Sequence, residues 1–530
     1  MKILNCRIWI PTSNMVREEN QRHRPDLMGY KHGVLASLVQ CLSLTLKERL
    51  QLLDISALDP GSLQVSFRFT WGLDGSGDHA DYNQLSKCDY STKQVMSVCF
   101  SLREVKVVDG EGKQVIWSSS LSGTNKPQNP RPLALFPEKE SSALMQDLIP
   151  RIESDVRIIV DEGVEVNEKE ECEVARGLWN LTATCEEAKL SMVDGKMITT
   201  LLNLGGAFCS MCTRSQDECH MESVILEGFL IDRSVESNNQ LALSLSDPNT
   251  GEIVKKKNDY ADRTGICGKP ITEQDLTKQI PVCHSKIRSF EWIIDLVIRA
   301  RSHKKWYTVT NRVVYTKEDK ELYNKARMEV MEVMKTKVGV NIGNPGDMVT
   351  GAAFQKFSSD FARNVLCNLL EEEEREDFGE ILLGMCTLVK VMNSQKKRVD
   401  VDRVRRLGQH VNLLIVKRFP WAAISPSVHR ILAHSWEVMH LNDCFGLGSL
   451  SEEGLESLNK NIRSRRSTGA RKTSTEDNFT DVYNHLWDRS RPTIVEMERK
   501  IKRRPVKLLI ATEIETLVES MFEEEEDCGL

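Results

Sequence analysis

The stretch Leu63-Gln64-Val65-Ser66-Phe67-Arg68-Phe69-Thr70-Trp71-Gly72-Leu73-Asp74-Gly75 decides the fold class. Leu63, Val65, Phe67, Phe69 and Trp71 alternate with Gln64, Ser66, Arg68 and Thr70, the period of a half-buried strand. The strand gives way at Asp74-Gly75-Ser76-Gly77-Asp78. A second strand is predicted over residues 95–108, a turn at Asp109-Gly110-Glu111-Gly112, and a third strand from Gln114, so the three form an antiparallel meander. Upstream, Leu35, Leu38, Val39, Leu42, Leu46 and Leu50 predict a helix over residues 33–53. Downstream come a Pro-rich loop (residues 126–137), a helix over residues 141–149 stopped by Pro150, and a strand over residues 188–193 that ends at Asp194-Gly195-Lys196. The polar residues 232–278, with Lys255-Lys256-Lys257, read as an insertion or long loop, and residues 287–382 are dominated by helical patterns.

The 530 residues carry 71 Lys+Arg against 77 Asp+Glu, a net charge of −6, so total charge does not announce a nucleic-acid partner. With 40% hydrophobic residues spread along the chain, wholesale disorder is excluded. The length suggests roughly three to four domains, or one core split by insertions. Residues 1–15 lack the apolar segment of a secretory signal, and no run reaches the roughly 18 apolar residues that span a bilayer. A soluble, intracellular chain is therefore expected, with no membrane partner. Its 15 cysteines are then read as reduced core thiols or metal ligands rather than a disulfide framework.

Asp74 and Asp194 each stand where a strand yields to glycine, which admits close approach of backbone or substrate. Carboxylates on adjacent strand ends suit hard divalent cations, and Asp-Gly is equally a common turn. Near the C-terminal end, Ser449-Leu450-Ser451-Glu452 fits a capping box, and Leu455, Leu458 and Ile462 define a buried stripe. Glu452, Glu456, Asn459, Arg463 and Arg466 follow at spacings of four, three, four and three, aligning carboxylates with arginines on one helical face. Residues 461–472 hold Arg463, Arg465, Arg466, Arg471 and Lys472 and no acid, a local basic rail that suits phosphates and also fits a solvated helix. Glu371 to Glu374 and residues 523–527 read as solvated acidic faces. Cys209-Ser210-Met211-Cys212 has the spacing of a zinc knuckle, whose turn delivers two thiolates to one tetrahedral ion. The other two ligands are either local, Cys219-His220, or remote, His429 and His434.

Leu190-Ser191-Met192-Val193-Asp194-Gly195-Lys196, Cys209-Ser210-Met211-Cys212, Ser427-Val428-His429-Arg430-Ile431-Leu432-Ala433-His434, Gly448-Ser449-Leu450-Ser451-Glu452-Glu453-Gly454-Leu455-Glu456-Ser457-Leu458-Asn459-Lys460 and Ala470-Arg471-Lys472 occur in that order. In residues and order they resemble the Transib transposases and their relative, the catalytic recombination-activating protein of vertebrate V(D)J recombination. The resemblance runs over residues 46–492 and is strongest over residues 426–472. It implies an α/β fold with an RNase H-like catalytic core of the DDE type, its triad at Asp74, Asp194 and Glu456, and a large, mostly helical zinc-binding insertion. It further implies Cys209, Cys212, His429 and His434 as the ligands of a structural Zn²⁺, and two Mg²⁺ or Mn²⁺ ions at the triad.

The activity implied is nicking of double-stranded DNA, followed by attack of the new 3′-hydroxyl to give hairpin or joined ends. Arg463, Arg465, Arg466, Arg471 and Lys472 would position the DNA backbone. A homodimer, an accessory protein and nuclear residence are further expectations, and residues 502–507 form a basic patch compatible with import. The domain plan follows: residues 1–60 a shortened helical N-terminal part, 61–205 the core with two acids, 206–435 the insertion, 436–495 the catalytic helix and basic rail, and 496–530 a tail. Family members carry a longer N-terminal part that recognises element ends, whereas about 73 residues precede Asp74. Two other readings make different predictions. A catalytically silent DNA-binding derivative keeps the fold and the zinc; a helical interaction module with a local zinc knuckle places His429 and His434 far from Cys209.

Overall fold

A computed structural model describes residues 20–77, 93–119, 130–167, 180–206, 208–215, 217–247, 264–302, 316–342, 351–394 and 398–501, together with residues 18, 250 and 253. The Lys255-Lys257 run, the 502–507 basic patch, the 523–527 acidic run and Asp78 lie outside them. The chain divides into two compact units. The first comprises residues 1–140, 151–189 and 454–504; the second comprises 141–150, 190–453 and 505–530.

The first unit is built on a sheet of eight strands: β1 (Leu27–Tyr30), β2 (Gly33–Ala36), β3 (Gln64–Ser76), β4 (Val95–Val108), β5 (Gln114–Ser118), β6 (Arg131–Phe136), β7 (Val164–Asn167) and β8 (Asn180–Met192). Their order is β1-β2-β6-β4-β3-β8-β7, with β5 paired to β4. The meander read from the sequence is present: β4 runs antiparallel to β3, β5 and β6. Its turn is held by Asp109 Oδ1, which accepts from the Glu111 and Lys113 N–H groups, and Gly112 takes the left-handed φ of 82° that the turn requires. Strand β3 alternates as expected up to Arg68, where the register with β4 shifts; from Phe69 to Asp74 every residue is buried. The end of β3 that carries Asp74 is thus covered on both faces.

Two expectations are corrected here. The helix predicted over residues 33–53 is strand β2 followed by α1 (Leu38–Leu50), with Leu38, Leu42, Leu46 and Leu50 buried. Gly33 explains the change of period, because a Cβ there would stand 2.1 Å from the Leu135 carbonyl oxygen. The chain packs backbone to backbone against β6, and the ladder Val34↔Leu135 takes the hydrogen bonds a helical turn would have used. Helix α2 (Ser142–Glu162) is not stopped by Pro150 but runs through it. An interior proline costs one hydrogen bond and about 3 kcal/mol, whereas Leu144, Met145, Leu148, Ile149, Ile152, Val156 and Ile159 form a buried stripe on both sides of it.

The second unit is helical: α3 (Gly195–Leu201), α4 (Glu222–Glu227), α5 (Val235–Leu245), α6 (Val282–Arg301), α7 (Lys317–Val333), α8 (Gly351–Phe357), α9 (Asp360–Cys367), α10 (Glu372–Met392), α11 (Val401–Arg418), α12 (Pro426–His429) and α13 (Ser435–Leu441). Its core gathers Phe290, Ile294, Phe357, Phe378, Met385, Val411 and Phe419 among others. Helix α5 lies inside the stretch expected to be loop; a Ser234–Ser237 capping box starts it, and Asn238 and Ala242 anchor it. Between α12 and α13, Arg430–His434 forms one π-helical turn. Gly408 of α11 lies so close to this turn that a Cβ would stand 2.2 Å from the Leu432 oxygen.

Helix α14 (Glu453–Thr468) enters the first unit at Gly454 and is followed there by α15 (Thr475–Arg489) and α16 (Pro492–Ile501). Leu455, Leu458 and Ile462 are buried, as their spacing predicts. The capping box Ser449–Glu452 does not form: Ser451 Oγ accepts from the Glu453 N–H at 3.3 Å, and Glu452 is engaged elsewhere. No helix among the described residues is long and apolar enough to cross a membrane.

Candidate functional site

Cys209 and Cys212 lie in the segment between α3 and α4, folded tightly enough that the Met211 N–H reaches Cys209 Sγ at 3.4 Å. His429 ends α12 and His434 ends the π turn, five residues on. The candidate ligand atoms of Cys209, Cys212, His429 and His434 all lie within 4.8 Å of one another, and all four residues are buried. Cys212 Sγ is 3.3 Å from His429 Nε2. In a tetrahedral zinc site with bonds of about 2.0–2.3 Å, neighbouring ligand atoms sit about 3.5 Å apart. Among the described residues, His429 Nδ1 and both nitrogens of His434 are buried without a hydrogen-bond partner, a costly state that coordination relieves for the nitrogens facing the thiols. The four residues therefore form a buried Cys₂His₂ cluster that could hold a metal ion, and its donor set suits structural zinc.

The four groups perturb one another electrostatically. Burial opposes ionisation of Cys209, but its close neighbours Cys212, His429 and His434 outweigh it and hold this thiol well below its ordinary range. Cys212 moves upward, first through its hydrogen bond to Cys209 and then through burial. Burial also disfavours a charged His434, yet the neighbouring Cys209 and Glu437 groups raise it to about 9. Phe229 closes the cluster with its ring edge-on to His429, centroids 4.7 Å apart. The local pair Cys219-His220 is not part of this set, and His220 Nε2 accepts the Ile424 N–H. Because His429 and His434 lie beside Cys209, the self-contained zinc-knuckle module fails its own prediction.

The acids fall in both units. Asp74 Oδ2 accepts from Asn459 Nδ2 at 2.7 Å, and Ser97 Oγ donates to Asn459 Oδ1 at 2.9 Å. Glu456 stands one turn before Asn459 on α14, so within the first unit the same helix carries Glu456 and the amide that holds Asp74. The glycine after Asp74 has a concrete reason: its N–H donates to Glu140 Oε1 at 2.9 Å, and a Cβ would stand 2.6 Å from Glu140 Cγ. In the second unit Asp194 caps α3, its Oδ1 accepting the Met197 N–H at 2.5 Å. Its Oδ2 lies 4.0 Å from His284 Nε2, and His284 is held from behind by Glu452 Oε1, 3.1 Å from Nδ1 and 2.8 Å from the His284 N–H. Gly195 leaves room for Arg430, whose Nη2 would be 3.0 Å from a Cβ there. A cavity of about 290 Å³ opens beside Asp194, lined among others by Lys196, Phe208, His284, Arg288 and Arg430.

The basic rail is less uniform than its sequence. Arg463 is exposed and donates to the Gly77 carbonyl at 2.8 Å; Lys472 is exposed. Arg465 folds back on Gly469. Arg466 is 1% exposed, bonds Asn478 Oδ1 and stacks on Phe479. Arg471 is paired with Asp481 at 3.0 Å and Asp477 at 3.1 Å. Sequence reasoning missed Glu140, His284 and Arg430. It placed Asn459 on the rail and Glu452 in a cap, and only the spacing of Asn459 from Glu456 hinted at a shared face.

No protein-family model matches the chain, and no curated protein matches it. Among solved structures it is similar to the Drosophila P element transposase strand transfer complex, at 8% identity over 92% of this chain and 86% of that one, with a TM-score of 0.29. At that score the likeness carries no functional argument.

Proposed function

We propose that this protein is a DNA-nicking and DNA-joining enzyme of the Transib transposase type, with an RNase H-like core of the DDE kind. One observation carries the reading. The resemblance singled out Cys209, Cys212, His429 and His434, two pairs more than 200 positions apart, and these four form one buried cluster. A closed site of four protein ligands is structural, and Zn²⁺ is the ion its donors suit. The strand order β6-β4-β3-β8, with Asp74 near the end of β3 and Asp194 two residues beyond β8, supports the same reading.

Asp74, Asp194 and Glu456 are the proposed catalytic carboxylates, hard oxygen donors that fit Mg²⁺ or Mn²⁺. Two such ions, when bound, supply activation of water and stabilisation of the leaving 3′ oxygen. The chain's own residues orient the acids: Asn459 holds Asp74, the Met197 N–H holds Asp194, and the Glu452–His284 pair faces its second oxygen. Lys196, Arg288 and Arg430 give the cavity beside Asp194 the positive lining a phosphodiester needs. Of the rail, exposed Arg463 and Lys472 are the proposed backbone contacts, and buried Arg466 supports the helix. After hydrolytic nicking, the released 3′-hydroxyl attacks the opposite strand or a target duplex. Double-stranded DNA as substrate, a homodimer with one site per DNA end, an accessory protein and nuclear residence belong to the same proposal.

Nicking of a labelled duplex in Mn²⁺ or Mg²⁺ tests it. The wild-type chain is expected to nick, with Asp74→Asn, Asp194→Asn and Glu456→Gln each slower by roughly a thousandfold. Cleavage that survives any of the three removes that residue from the triad. DNA binding and bound zinc without any cleavage would favour the catalytically silent derivative.

A further inference from the structure

The metal centre has a fifth donor beside it. Cys219 Sγ lies 3.9 Å from His429 Nε2, the nitrogen that also faces Cys212 Sγ. The thiol is buried in a small apolar cluster with Val224, Ile225, Phe229 and Ala433, away from competing polar partners. Its backbone is fixed: the Cys219 N–H donates to Ser215 O at 3.1 Å, and the following His220 accepts from the Ile424 N–H.

The two histidines are not equally secured. Neither Nδ1 has a hydrogen-bond partner among the described residues, but Glu437 Oε2 stands 3.8 Å from that of His434, and no carboxylate is paired with that of His429 among them. A ligating histidine is ordinarily oriented by a bond at its other ring nitrogen. Of the two histidines His429 is therefore the one without a nearby carboxylate to orient it, and it is the one that Cys219 adjoins.

Building on the zinc-site reading above, we propose that Cys219 is an alternate ligand of this centre, taking the metal when His429 releases it to give the set Cys209, Cys212, Cys219 and His434. In the exchange the His429 Nε2–metal bond breaks, Cys219 gives its thiol proton to water, and the Cys219 Sγ–metal bond forms without change of oxidation state. The site gains one negative charge. Arg430, whose Nη1 donates to Ser210 Oγ at 3.3 Å between the two knuckle cysteines, is the cation placed to offset it. A third thiolate also shifts the preference toward softer ions such as Cd²⁺.

The test uses the full chain as wild type, Cys219→Ser, His429→Ala and the double variant, with zinc stoichiometry, chelator competition and Co²⁺ spectra as readouts. Wild type and Cys219→Ser are expected to bind one zinc with equal affinity, and His429→Ala to retain it within about tenfold. The double variant should weaken by at least about a hundredfold. Thiolate-to-cobalt charge transfer in His429→Ala should exceed that of wild type by about half, the ratio of three thiolates to two. Equal loss of zinc from His429→Ala and the double variant, or a two-thiolate spectrum in His429→Ala, overturns the proposal. If His429→Ala does not fold, cadmium NMR decides: a wild-type resonance shifted toward three thiolates relative to Cys219→Ser supports it, and identical resonances overturn it. A wild-type chain that binds no zinc overturns the metal centre itself.

Discussion

Asp74 is buried, and its charge is met by an amide 385 positions away: Asn459 donates to Oδ2, with Ser97 fixing the other end of the amide. A hydrogen bond to a buried charged group is worth more than a neutral one, because removing the donor leaves the carboxylate desolvated. Asn459→Ala is accordingly expected to lower unfolding stability by about 2 kcal/mol, read from urea denaturation. A midpoint identical to wild type would mean that water replaces the amide at no cost. The same logic gives meaning to Glu452, whose sequence position suggests a helix cap. Buried at 2% exposure, it instead holds His284 opposite Asp194.

At the scale of single elements, α14 joins two tasks that its sequence presents as one. Leu455, Leu458 and Ile462 seat the helix, and Asn459 and Arg463 on another face reach the end of β3, where they meet Asp74 and the Gly77 carbonyl. The arginines separate by burial. Arg466→Ala removes a guanidinium bonded to Asn478 and stacked on Phe479, and should cost about 2–3 kcal/mol of stability. Arg463→Ala and Lys472→Ala should leave stability within about 0.5 kcal/mol of wild type and each lower the salt-dependence slope of DNA binding by about one. Salt titrations of duplex binding separate the two classes. An unchanged slope in both surface variants would take the rail out of DNA contact.

At the scale of the whole molecule, the Cys₂His₂ cluster brings together two segments of the helical unit that are far apart in sequence, residues 209–212 and 429–434. Ion removal should therefore loosen that unit selectively, because ligand binding to the folded state adds to its stability. Hydrogen exchange after chelation is expected to show α12 and α13 losing at least about tenfold of their protection, with β3 and β4 unchanged. Uniform loss across both units would mean that the centre supports the entire chain; no loss anywhere would mean that the cluster carries no ion.

Much of this was legible in the chain. Alternation at residues 63–71 and the turn at Asp109–Gly112 are local, so period and turn chemistry reveal the meander. The C-x-x-C knuckle, the stripe on α14 and the Asp-Gly strand ends are likewise written in neighbouring residues. Where a neighbouring strand or a buried stripe outweighed the local preference, the reading failed: Gly33 brought β2 onto β6 in place of a helical turn, and α2 continued through Pro150. Sequence by itself determined which residue types are available for chemistry, and the resemblance chose among them. Only the tertiary structure decided which histidines meet the knuckle, which arginine is core, and which amide and imidazole attend the acids, because burial and hydrogen-bond pairing depend on contacts between residues far apart in the chain.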